Sequence, residues 1–580
     1  MCSKLAHKIK STKNIKGIKI EDNEYLMSQY ADDTVIILDG TENSLRTTIE
    51  ELDSFNRISG LKINLSKTQL VWIGSKKYCN GKLCQEMNFQ WTTQFRLLGI
   101  DFDVDLANVP KLNYDKKLVK IKNIINQWTK RHTTPIGRIS LIKSLLISQM
   151  NHLFISLPSP PNRFINDLNN ILYTFLWKSK VDKIKRKQIT QDYLNGGLQM
   201  IEINNYIQGL KSSWINRLIN YQNSNWKTLV NKLIDTDKLF KTGSDYINIA
   251  VYNLNNTFWR DTLFAFQNIQ DKMKIQTWKE FITQPIWFNK NIMIGNKSLF
   301  FSEWFDKNIV FISDLLDENG CFLNIQDLQN KFNVETNFLT FYGLQKSIKA
   351  FMKSLKIIKE EENFKPFVPF NLKLFCTTKK GTKIMYNTLN VDTNVISFNK
   401  QKWGRHFTLS KSQWQNIYQL PFINIKSSKL QWLQYRINHH ILTTNSFLFK
   451  IGKNDTNLCN LCKIEEETIY HLLWQCPIVQ DLINNFFNFC NTRGIMVPRD
   501  PCTFIFGVDL HPNCKNLFSI FLVLKAYIYR KRCLDEKVSF QGLLGDIKTH
   551  ITTLKYIATK NGRLSYFNKK WGTWLFLCRL

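Results

Sequence analysis

The spacing of apolar residues changes near residue 110, and this change constrains the fold more than any other feature of the chain. Beyond that point apolar residues recur at intervals of three and four, which places them on one face of a helix. The first such stripe consists of Tyr114, Leu118, Ile121, Ile125 and Trp128. Similar stripes cover residues 139–150 and 164–175, and the prolines within 158–161 separate them. Mainly helical structure is therefore predicted from residue 110 onward.

The first hundred residues show the short alternating segments that are typical of strands. Residues 25–30 and 34–38 flank a tight Ala31-Asp32-Asp33 turn, which predicts a hairpin. Apolar residues at helical spacing between 45 and 55, ended by Gly60, predict a helix that packs on this hairpin. Further strands are predicted at 61–65, 69–73 and 95–102. The expected fold class is α+β, predominantly α.

The balance of charge favours a polyanionic partner. The 580 residues include 79 Lys and Arg against 46 Asp and Glu, a formal net charge of +33. An excess of Lys and Arg is how proteins neutralise phosphates and release counterions. A composition rich in Lys and Asn also follows from nucleotide bias, so the charge alone identifies no particular nucleic acid.

Other features limit the location and the class of the protein. The longest apolar run, 517–529, is broken by Lys525 and is too short to span a bilayer. Thirteen cysteines are an odd number, which argues against a disulfide framework, and the charged N-terminus lacks the apolar stretch of a secretory signal. We expect an intracellular protein, in the nucleus, the cytoplasm or both, with no membrane partner and no small-molecule substrate.

Two adjacent carboxylates, Asp32 and Asp33, lie at the hairpin turn after Tyr30-Ala31. Like charges repel, and a core is expected beside the turn, so a bound divalent cation would explain the pair. An ordinary Asp-rich turn is the alternative, because Asp is common in turns.

A second group of residues has the spacing of a metal site. Cys459 and Cys462 are followed by His471 and Cys476 within 18 residues, in the pattern Cys-x₂-Cys-x₈-His-x₄-Cys. Two thiolates on one turn, a histidine and a third thiolate make the closed tetrahedral set of a structural Zn²⁺. The alternative is that these cysteines are plain apolar residues, as expected for Cys490 and its neighbours.

A basic run at residues 178–187 contains six cations. This spacing fits either contacts to phosphates or a nuclear-import signal. The solvated face of a Lys-rich segment would look the same. The six residues are Lys178, Lys180, Lys183, Lys185, Arg186 and Lys187.

The order of the N-terminal motifs resembles the later palm motifs of reverse transcriptases from LINE-type (non-LTR) retrotransposons. Tyr30-Ala31-Asp32-Asp33 matches the metal-binding box, Gly60-Leu61-Lys62-Ile63-Asn64-Leu65-Ser66-Lys67-Thr68 the next motif, and Leu98-Gly99-Ile100 the primer-grip hairpin. Downstream, Asp192-Tyr193-Leu194-Asn195-Gly196-Gly197-Leu198 and the segment 459–477 continue the resemblance, the latter to the family's zinc-binding knuckle.

The resemblance implies roles for several residues and a domain order. Asp32 and Asp33 would hold Mg²⁺ in an intact polymerase site, and Lys67 would lie near the incoming triphosphate unless it is a solvated loop residue. RNA and DNA, as template and primer, would be the partners. The implied segments are a palm remnant at 1–109, a helical thumb at 110–178, a mainly helical connector at 179–358, a second helical connector at 359–450 and a zinc-knuckle domain at 451–580, with a linker expected near 359–369.

The chain also departs from the family pattern. The resemblance requires an upstream palm strand that carries another metal-binding aspartate, and only Asp22 precedes Asp32. The alternating Asp101, Asp103 and Asp105 follow the primer-grip motif, so we interpret them as a solvated strand edge. We expect a C-terminal part that lacks the endonuclease, the fingers and the early palm, and that is inactive alone. A stand-alone zinc-dependent RNA- or DNA-binding protein and an unselected gene-model fragment are the alternatives.

Overall fold

The structure is a computed structural model of the 580-residue chain. It describes residues 2–20, 22–31, 33–60, 62–87, 89–179, 181–220, 225–359, 368–376, 381–390, 402–508 and 515–578. Most of the predicted linker, residues 360–367, lies outside the described residues, as do Asp32 and Lys180.

Helices make up most of the described chain, as the sequence predicts. The α-helices are Cys2–Ser11, Glu42–Ser59, Val109–Thr129, Pro135–Leu141, Asn151–Ser156, Asn162–Trp177, Arg186–Thr190, Ile203–Asn220, Asn225–Leu233, Thr236–Lys241, Asp245–Tyr252, Thr257–Lys272, Trp278–Ile282, Ser302–Asp306, Ile325–Phe332, Phe338–Leu355, Phe370–Cys376, Gly381–Asn390, Lys411–Asn424, Ser428–Asn438, Asn445–Lys450, Pro477–Asn491, Pro501–Phe506, Lys515–Leu534, Phe540–Lys560 and Leu564–Trp571.

Shorter helical turns and small sheets complete the described elements. The 3₁₀ turns are Gly74–Lys76, Gln85–Met87, Leu106–Asn108, Ile147–Gln149, Ile312–Leu315 and Gly572–Cys578, and the π turns are Ile142–Leu146 and His471–Gln475. The strands pair two by two as Ile18–Ile20 with Asn23–Tyr25, Met27–Tyr30 with Asp33–Ile36, Gln69–Leu70 with Gln90–Trp91, Gln94–Leu97 with Ile100–Asp103, and Met293–Ile294 with Lys297–Ser298.

The predicted hairpin and its following helix are both confirmed. Met27–Tyr30 pairs antiparallel with Asp33–Ile36, from Met27 opposite Ile36 to Tyr30 opposite Asp33. The helix Glu42–Ser59 begins after Thr41, whose hydroxyl accepts the Ser44 N–H, and it ends at Gly60 in the left-handed region, φ 73°. These local signals explain why the sequence located the helix correctly.

Two of the predicted strands are corrected by the structure. The described residues of 61–65 form no strand, because Asn64 starts a turn in which its backbone and side-chain oxygens accept the N–H of Lys67. The strand predicted at 69–73 is reduced to Gln69–Leu70, which pairs in parallel with Gln90–Trp91.

The segment predicted as strand at 95–102 forms a hairpin. Gln94–Leu97 pairs antiparallel with Ile100–Asp103. The two connecting residues, Leu98 and Gly99, both have positive φ, 49° and 79°, which suits the right-handed twist of a two-residue hairpin. Its position matches the predicted primer-grip motif.

The first and third helical stripes form the helices Val109–Thr129 and Asn162–Trp177. The second stripe does not form one continuous α-helix. The helix Pro135–Leu141 passes into the π turn Ile142–Leu146 and then into a 3₁₀ turn. The hydroxyls of Ser140, Ser144 and Ser148 each donate to a carbonyl four residues earlier, and this competition for the backbone carbonyls distorts helices.

Buried apolar side chains gather into four large clusters. One joins residues 100–210 with Tyr435, a second joins 215–269 with 372–389, a third covers 278–351, and the largest covers 403–574. The domain limits given by the sequence stay predictions. Within the described ranges, each helix is too short or too polar to cross a membrane.

Candidate functional site

The hairpin turn that carries the predicted carboxylates is exposed. Tyr30 pairs with Asp33, so only Ala31 and Asp32 connect the strands, and Ala31 has a φ of 54°. Asp32 lies outside the described residues, whereas Asp33 is exposed at the start of its strand. Tyr30 is 69% exposed. The described residues at this turn, Tyr30, Ala31 and Asp33, are therefore exposed to solvent.

Asp33 belongs to no cluster of three or more candidate metal ligands among the described residues. The one such cluster in the N-terminal region contains Glu42, Cys84 and Glu86. Its two carboxylates already pair with Arg46, at 3.2 Å to Glu42 and 2.6 Å to Glu86. An ion pair therefore accounts for this acidic group.

Lys67 lies in the turn that follows Asn64, and its side chain is exposed. In the described part of the chain no ion pair joins Lys67 to Asp33. The predicted triphosphate contact of Lys67 stays a prediction, and its position fits a solvated loop lysine equally well.

The three alternating aspartates form contacts within the protein, so their interpretation as a solvated edge is wrong for Asp103. Asp103 is 9% exposed and accepts hydrogen bonds from the Gln94 amide at 2.8 Å and the Asp105 N–H at 2.8 Å. These bonds lower the pKa of its carboxyl. Asp101 pairs with Lys116 at 2.8 Å. Asp103 therefore stabilises the hairpin, and Asp101 connects the hairpin to the helix Val109–Thr129.

The four predicted zinc ligands come together. The Sγ atoms of Cys459, Cys462 and Cys476 and a ring nitrogen of His471 all lie within 4.8 Å of one another, and Cys462 Sγ is 3.5 Å from His471 Nε2. Tetrahedral zinc with bonds of about 2.0–2.3 Å separates its ligand atoms by roughly 3.3–3.8 Å. The arrangement fits one tetrahedral ion with no open position.

Two short elements position these ligands. Leu458 and Glu466 form a bridge pair, and within it the Cys459 N–H donates to Glu465 O at 2.8 Å. This small turn carries the first two cysteines. The π turn His471–Gln475 is closed by the Cys476 N–H, which donates to His471 O at 2.9 Å. That i to i+5 bond directs the imidazole and the third thiol to the same point.

The electrostatics of the cluster favour a cation. Hydrogen bonds with the Cys459 and Cys462 thiols raise the pKa of His471 to about 9. A hydrogen bond from Cys459 lowers the pKa of Cys476, while the same contact and burial raise the pKa of Cys459 to about 12. Zinc would displace these protons, because it binds deprotonated thiolates and a neutral imidazole.

The outer side of the imidazole faces a carboxylate. Glu465 Oε2 lies 2.9 Å from His471 Nδ1, without hydrogen-bond alignment. Carboxylates in this position orient zinc-bound histidines and raise their basicity. Glu465 was not predicted as part of the site, although it lies between Cys462 and His471 in the sequence.

A buried ion pair attaches the cluster to the C-terminal core. Glu467 is fully buried, and its carboxylate accepts from Arg532 Nε at 2.8 Å and from the backbone N–H of Asn445 and Asn460 at 2.7 and 3.1 Å. Asn460 lies between the first two cysteines, and Arg532 belongs to the helix Lys515–Leu534. No local sequence pattern marks this pair, because the partners are 65 residues apart.

The basic run lies at the surface after the helix Asn162–Trp177. Lys178 ends this helix with φ 51°, and the described cations of the run, Lys178, Lys183, Lys185, Arg186 and Lys187, are all exposed. Arg186 has an acidic partner, since its Nε lies 2.8 Å from Asp182. Lys178 Nζ also donates to Arg131 O at 3.5 Å, which brings the preceding basic loop beside the run.

Comparison with protein families adds one decisive observation. Residues 3–102 match the family model described as reverse transcriptase (RNA-dependent DNA polymerase). The matched segment includes the hairpin of Met27–Tyr30 and Asp33–Ile36 and the helix Glu42–Ser59, and it ends within the hairpin of Gln94–Leu97 and Ile100–Asp103. It covers about a sixth of the chain. This segment, which we call the reverse transcriptase segment after the matched family, contains Asp32, Asp33 and Lys67. Members of that family bind a nucleic-acid template and primer. Reverse transcriptases usually use Mg²⁺, and the binding of Mg²⁺ by Asp32 and Asp33 stays a prediction.

Proposed function

We propose that this polypeptide belongs to the reverse transcriptases of LINE-type retrotransposons, that it binds RNA and DNA, and that it does not polymerise by itself. The observation that carries the proposal is the family match at residues 3–102, which contains the Tyr30-Ala31-Asp32-Asp33 hairpin. In the family as a whole, the corresponding role is target-primed reverse transcription. The proposed location is intracellular, in the nucleus, the cytoplasm or both.

The absence of polymerase activity follows from the carboxylates that the chain contains. Two-metal phosphoryl transfer needs acidic ligands on more than one side of the metal pair. Asp32 and Asp33 supply one side. The only aspartate before them in this sequence, Asp22, lies between the strands Ile18–Ile20 and Asn23–Tyr25, which directly precede the same hairpin. Mg²⁺ would therefore act only in a site that other residues complete.

Primer extension on an RNA template with Mg²⁺ tests this part of the proposal. The purified 580-residue chain is expected to add no nucleotides above a blank without protein. The variant Asp33→Asn serves as the matched control, and it should behave as the wild type. Nucleotide addition by the wild type that the Asp33→Asn variant loses would contradict the proposal.

Zinc is the second component of the proposed function. The ligand set of Cys459, Cys462, His471 and Cys476 is closed and mostly buried, which is typical of a structural ion rather than a catalytic one. When bound, the ion would fix the turn around Cys459–Cys462 and the π turn as one unit. That unit would be the zinc knuckle of the C-terminal region and would contribute to nucleic-acid binding.

A stand-alone zinc-dependent RNA- or DNA-binding protein is the second candidate. It is favoured by the position of the cysteine and histidine cluster within the largest hydrophobic cluster, residues 403–574, which contains none of the reverse transcriptase segment. In that case nucleic-acid binding would depend on zinc and would not require residues 3–102.

The pair variant Cys459→Ser/Cys462→Ser tests the zinc assignment and separates the candidates. Metal analysis should show one zinc per wild-type chain and close to none for this variant. The control is Cys79→Ser/Cys321→Ser, which removes two exposed thiols and should retain zinc. Equal zinc content in both variants would contradict the metal site. If the Cys459→Ser/Cys462→Ser variant loses its zinc and at the same time loses all nucleic-acid binding, the result would favour the stand-alone candidate.

A further inference from the structure

The helix Phe338–Leu355 presents an unusual outer face. Its buried residues, Phe341, Leu344, Ile348 and Phe351, all point into the cluster of residues 278–351. At 100° per residue, the positions 338, 342, 346, 349 and 353 fall within a sector of about 80° on the opposite face. We call this set the outer stripe, and its members are Phe338, Tyr342, Lys346, Lys349 and Lys353.

The outer stripe combines exposed aromatic rings with unpaired positive charge. Phe338 and Tyr342 are 65% and 40% exposed, with ring centroids 4.2 Å apart. The three lysines are exposed, and within the described chain none of them has an ion-pair partner. Lys349 Nζ donates to Gln345 Oε1 at 3.1 Å and lies 5.1 Å from the Phe322 ring centre, and neither contact neutralises its charge. The helix itself contains no Asp or Glu. Aromatic area therefore occupies its first half and positive charge its second half.

The neighbouring hairpin extends this surface. Met293 and Ile294 are each 43% exposed, and Ser347 holds them against the helix through hydrogen bonds of 3.0 Å with the Met293 backbone. The hairpin approaches closely at Gly343, where a Cβ would lie 3.2 Å from Ile294 Cδ1. Lys297 on the second strand is exposed as well. The apolar side of the stripe is thus wider than the two rings.

We propose that the outer stripe binds single-stranded nucleic acid, with bases stacked on Phe338 and Tyr342 and phosphates paired with Lys346, Lys349 and Lys353. Exposed rings beside a track of cations are how proteins hold single strands without sequence preference. Paired bases in a duplex keep their faces inside the stack, so a duplex cannot use the rings. The three lysines without acidic partners make a polyanion the complementary ligand.

This site is separate from the reverse transcriptase segment and from the zinc cluster. The stripe lies between the segment 3–102 and Cys459 in sequence. The buried residues of its helix belong to a different hydrophobic cluster from the zinc-site cysteines. The inference adds a third nucleic-acid contact to the proposed function and does not depend on polymerase activity or zinc.

Fluorescence anisotropy with a labelled single-stranded oligonucleotide tests the inference on the full chain. The aromatic variant Phe338→Ala/Tyr342→Ala should bind at least about tenfold more weakly, with an unchanged affinity for a duplex. The lysine variant Lys346→Gln/Lys349→Gln/Lys353→Gln should flatten the dependence of log affinity on log salt by about 2. Both variants change exposed residues, so the fold should be retained, as circular dichroism can verify.

Matched controls separate the stripe from general charge and exposure. Tyr252→Ala removes another exposed aromatic ring, and Lys238→Gln/Lys241→Gln/Lys290→Gln removes three lysines that already pair with aspartates. Both controls should bind the oligonucleotide as the wild type does.

Several results would overturn the inference. If the aromatic variant binds the single strand as tightly as the wild type, the two rings do not contribute to binding. If it loses equal affinity for duplex and single strand, the rings do not act by base stacking. Loss of binding to anionic vesicles, or of self-association, with unchanged oligonucleotide affinity would assign the stripe to a membrane or to a second copy. If oligonucleotide binding is lost only in the Cys459→Ser/Cys462→Ser variant, the outer stripe is not a binding site, and the proposed function is unaffected.

Discussion

Single residues with buried charge decide how the zinc cluster is attached to the molecule. Glu467 and Arg532 are both buried, and Glu467 also accepts from two backbone N–H groups. A charge left alone in such a place costs far more than the pair itself contributes. The ion pair therefore connects the residues around Cys459 to the helix Lys515–Leu534.

Removal of one partner of this pair should destabilise the chain strongly. Arg532→Met is expected to lower the free energy of unfolding by about 3–5 kcal/mol, because it leaves the Glu467 carboxylate buried without a cation. The double variant Glu467→Gln/Arg532→Met should recover a large part of that loss. Urea unfolding followed by tryptophan fluorescence measures both. Equal losses for the single and the double variant would refute the role of the unpaired charge.

A buried lysine should give the chain a defined dependence of stability on pH. Lys211 is 1% exposed, and burial lowers its pKa to about 7, against a weaker opposite effect of Asp261. Its ammonium group donates to Leu157 O and lies 4.2 Å from the Phe258 ring centre. Between about pH 7 and the usual lysine pKa the unfolded chain binds more protons, so stability rises with pH in that window.

Lys211→Met should flatten this rise. The slope of the free energy of unfolding between pH 7 and 9 is expected to fall by up to about 1.4 kcal/mol per pH unit. Lys238→Met, which changes a partly exposed lysine, is the control and should keep the wild-type slope. Parallel curves for Lys211→Met and wild type would show that Lys211 does not titrate in this window.

At the scale of elements, the loop after the basic run depends on two adjacent glycines. Gly196 has a φ of 75°, and a Cβ on Gly197 would lie 1.9 Å from Gln191 O. The loop also packs against the C-terminal part of the chain, since Tyr193 stacks on Phe422 with centroids 3.9 Å apart and Tyr435 donates to Gly196 O at 3.2 Å. The close approach of the Gln191 backbone therefore explains why a glycine occupies position 197.

Gly197→Ala should therefore be destabilising by about 2 kcal/mol or more, since the loop backbone must move to admit a methyl group. Gly545→Ala is the matched control, because a Cβ at Gly545 meets nothing within 4 Å in the helix Phe540–Lys560. That change should stabilise the helix by roughly 0.5–1 kcal/mol. Thermal unfolding compares the two. Similar melting temperatures for both variants would contradict the close packing at Gly197.

Elements with local signals were predictable from the sequence, and elements set by distant contacts were not. Thr41 and Gly60 mark the ends of one helix, and the spacing of the cysteines with His471 identifies a ligand set, because each depends on neighbours in the chain. The turn at Asn64 and the burial of Asp103 depend on hydrogen bonds that spacing does not reveal. Strand length was overestimated for the same reason.

At the scale of the whole molecule, the net charge of +33 is distributed over separate surfaces. The exposed cations after Lys178 lie beside the basic loop that contains Arg131, and the outer stripe carries three further lysines. The sequence identified the first surface by composition. It could not identify the second, since only the structure separates the outer face of Phe338–Leu355 from its buried face. A chain with several cationic surfaces fits an extended polyanion better than a compact one.

Binding of a labelled RNA–DNA template–primer by the full chain, measured over a range of salt concentrations, tests the central claim most directly. If about five of the exposed cations contact phosphates, the plot of log affinity against log salt should have a slope of about −4. Tight binding at low salt with this slope, and no extension of the primer in the same sample with Mg²⁺ and nucleotides, is the predicted result. Absence of binding at low salt, or binding with extension of the primer, would contradict it.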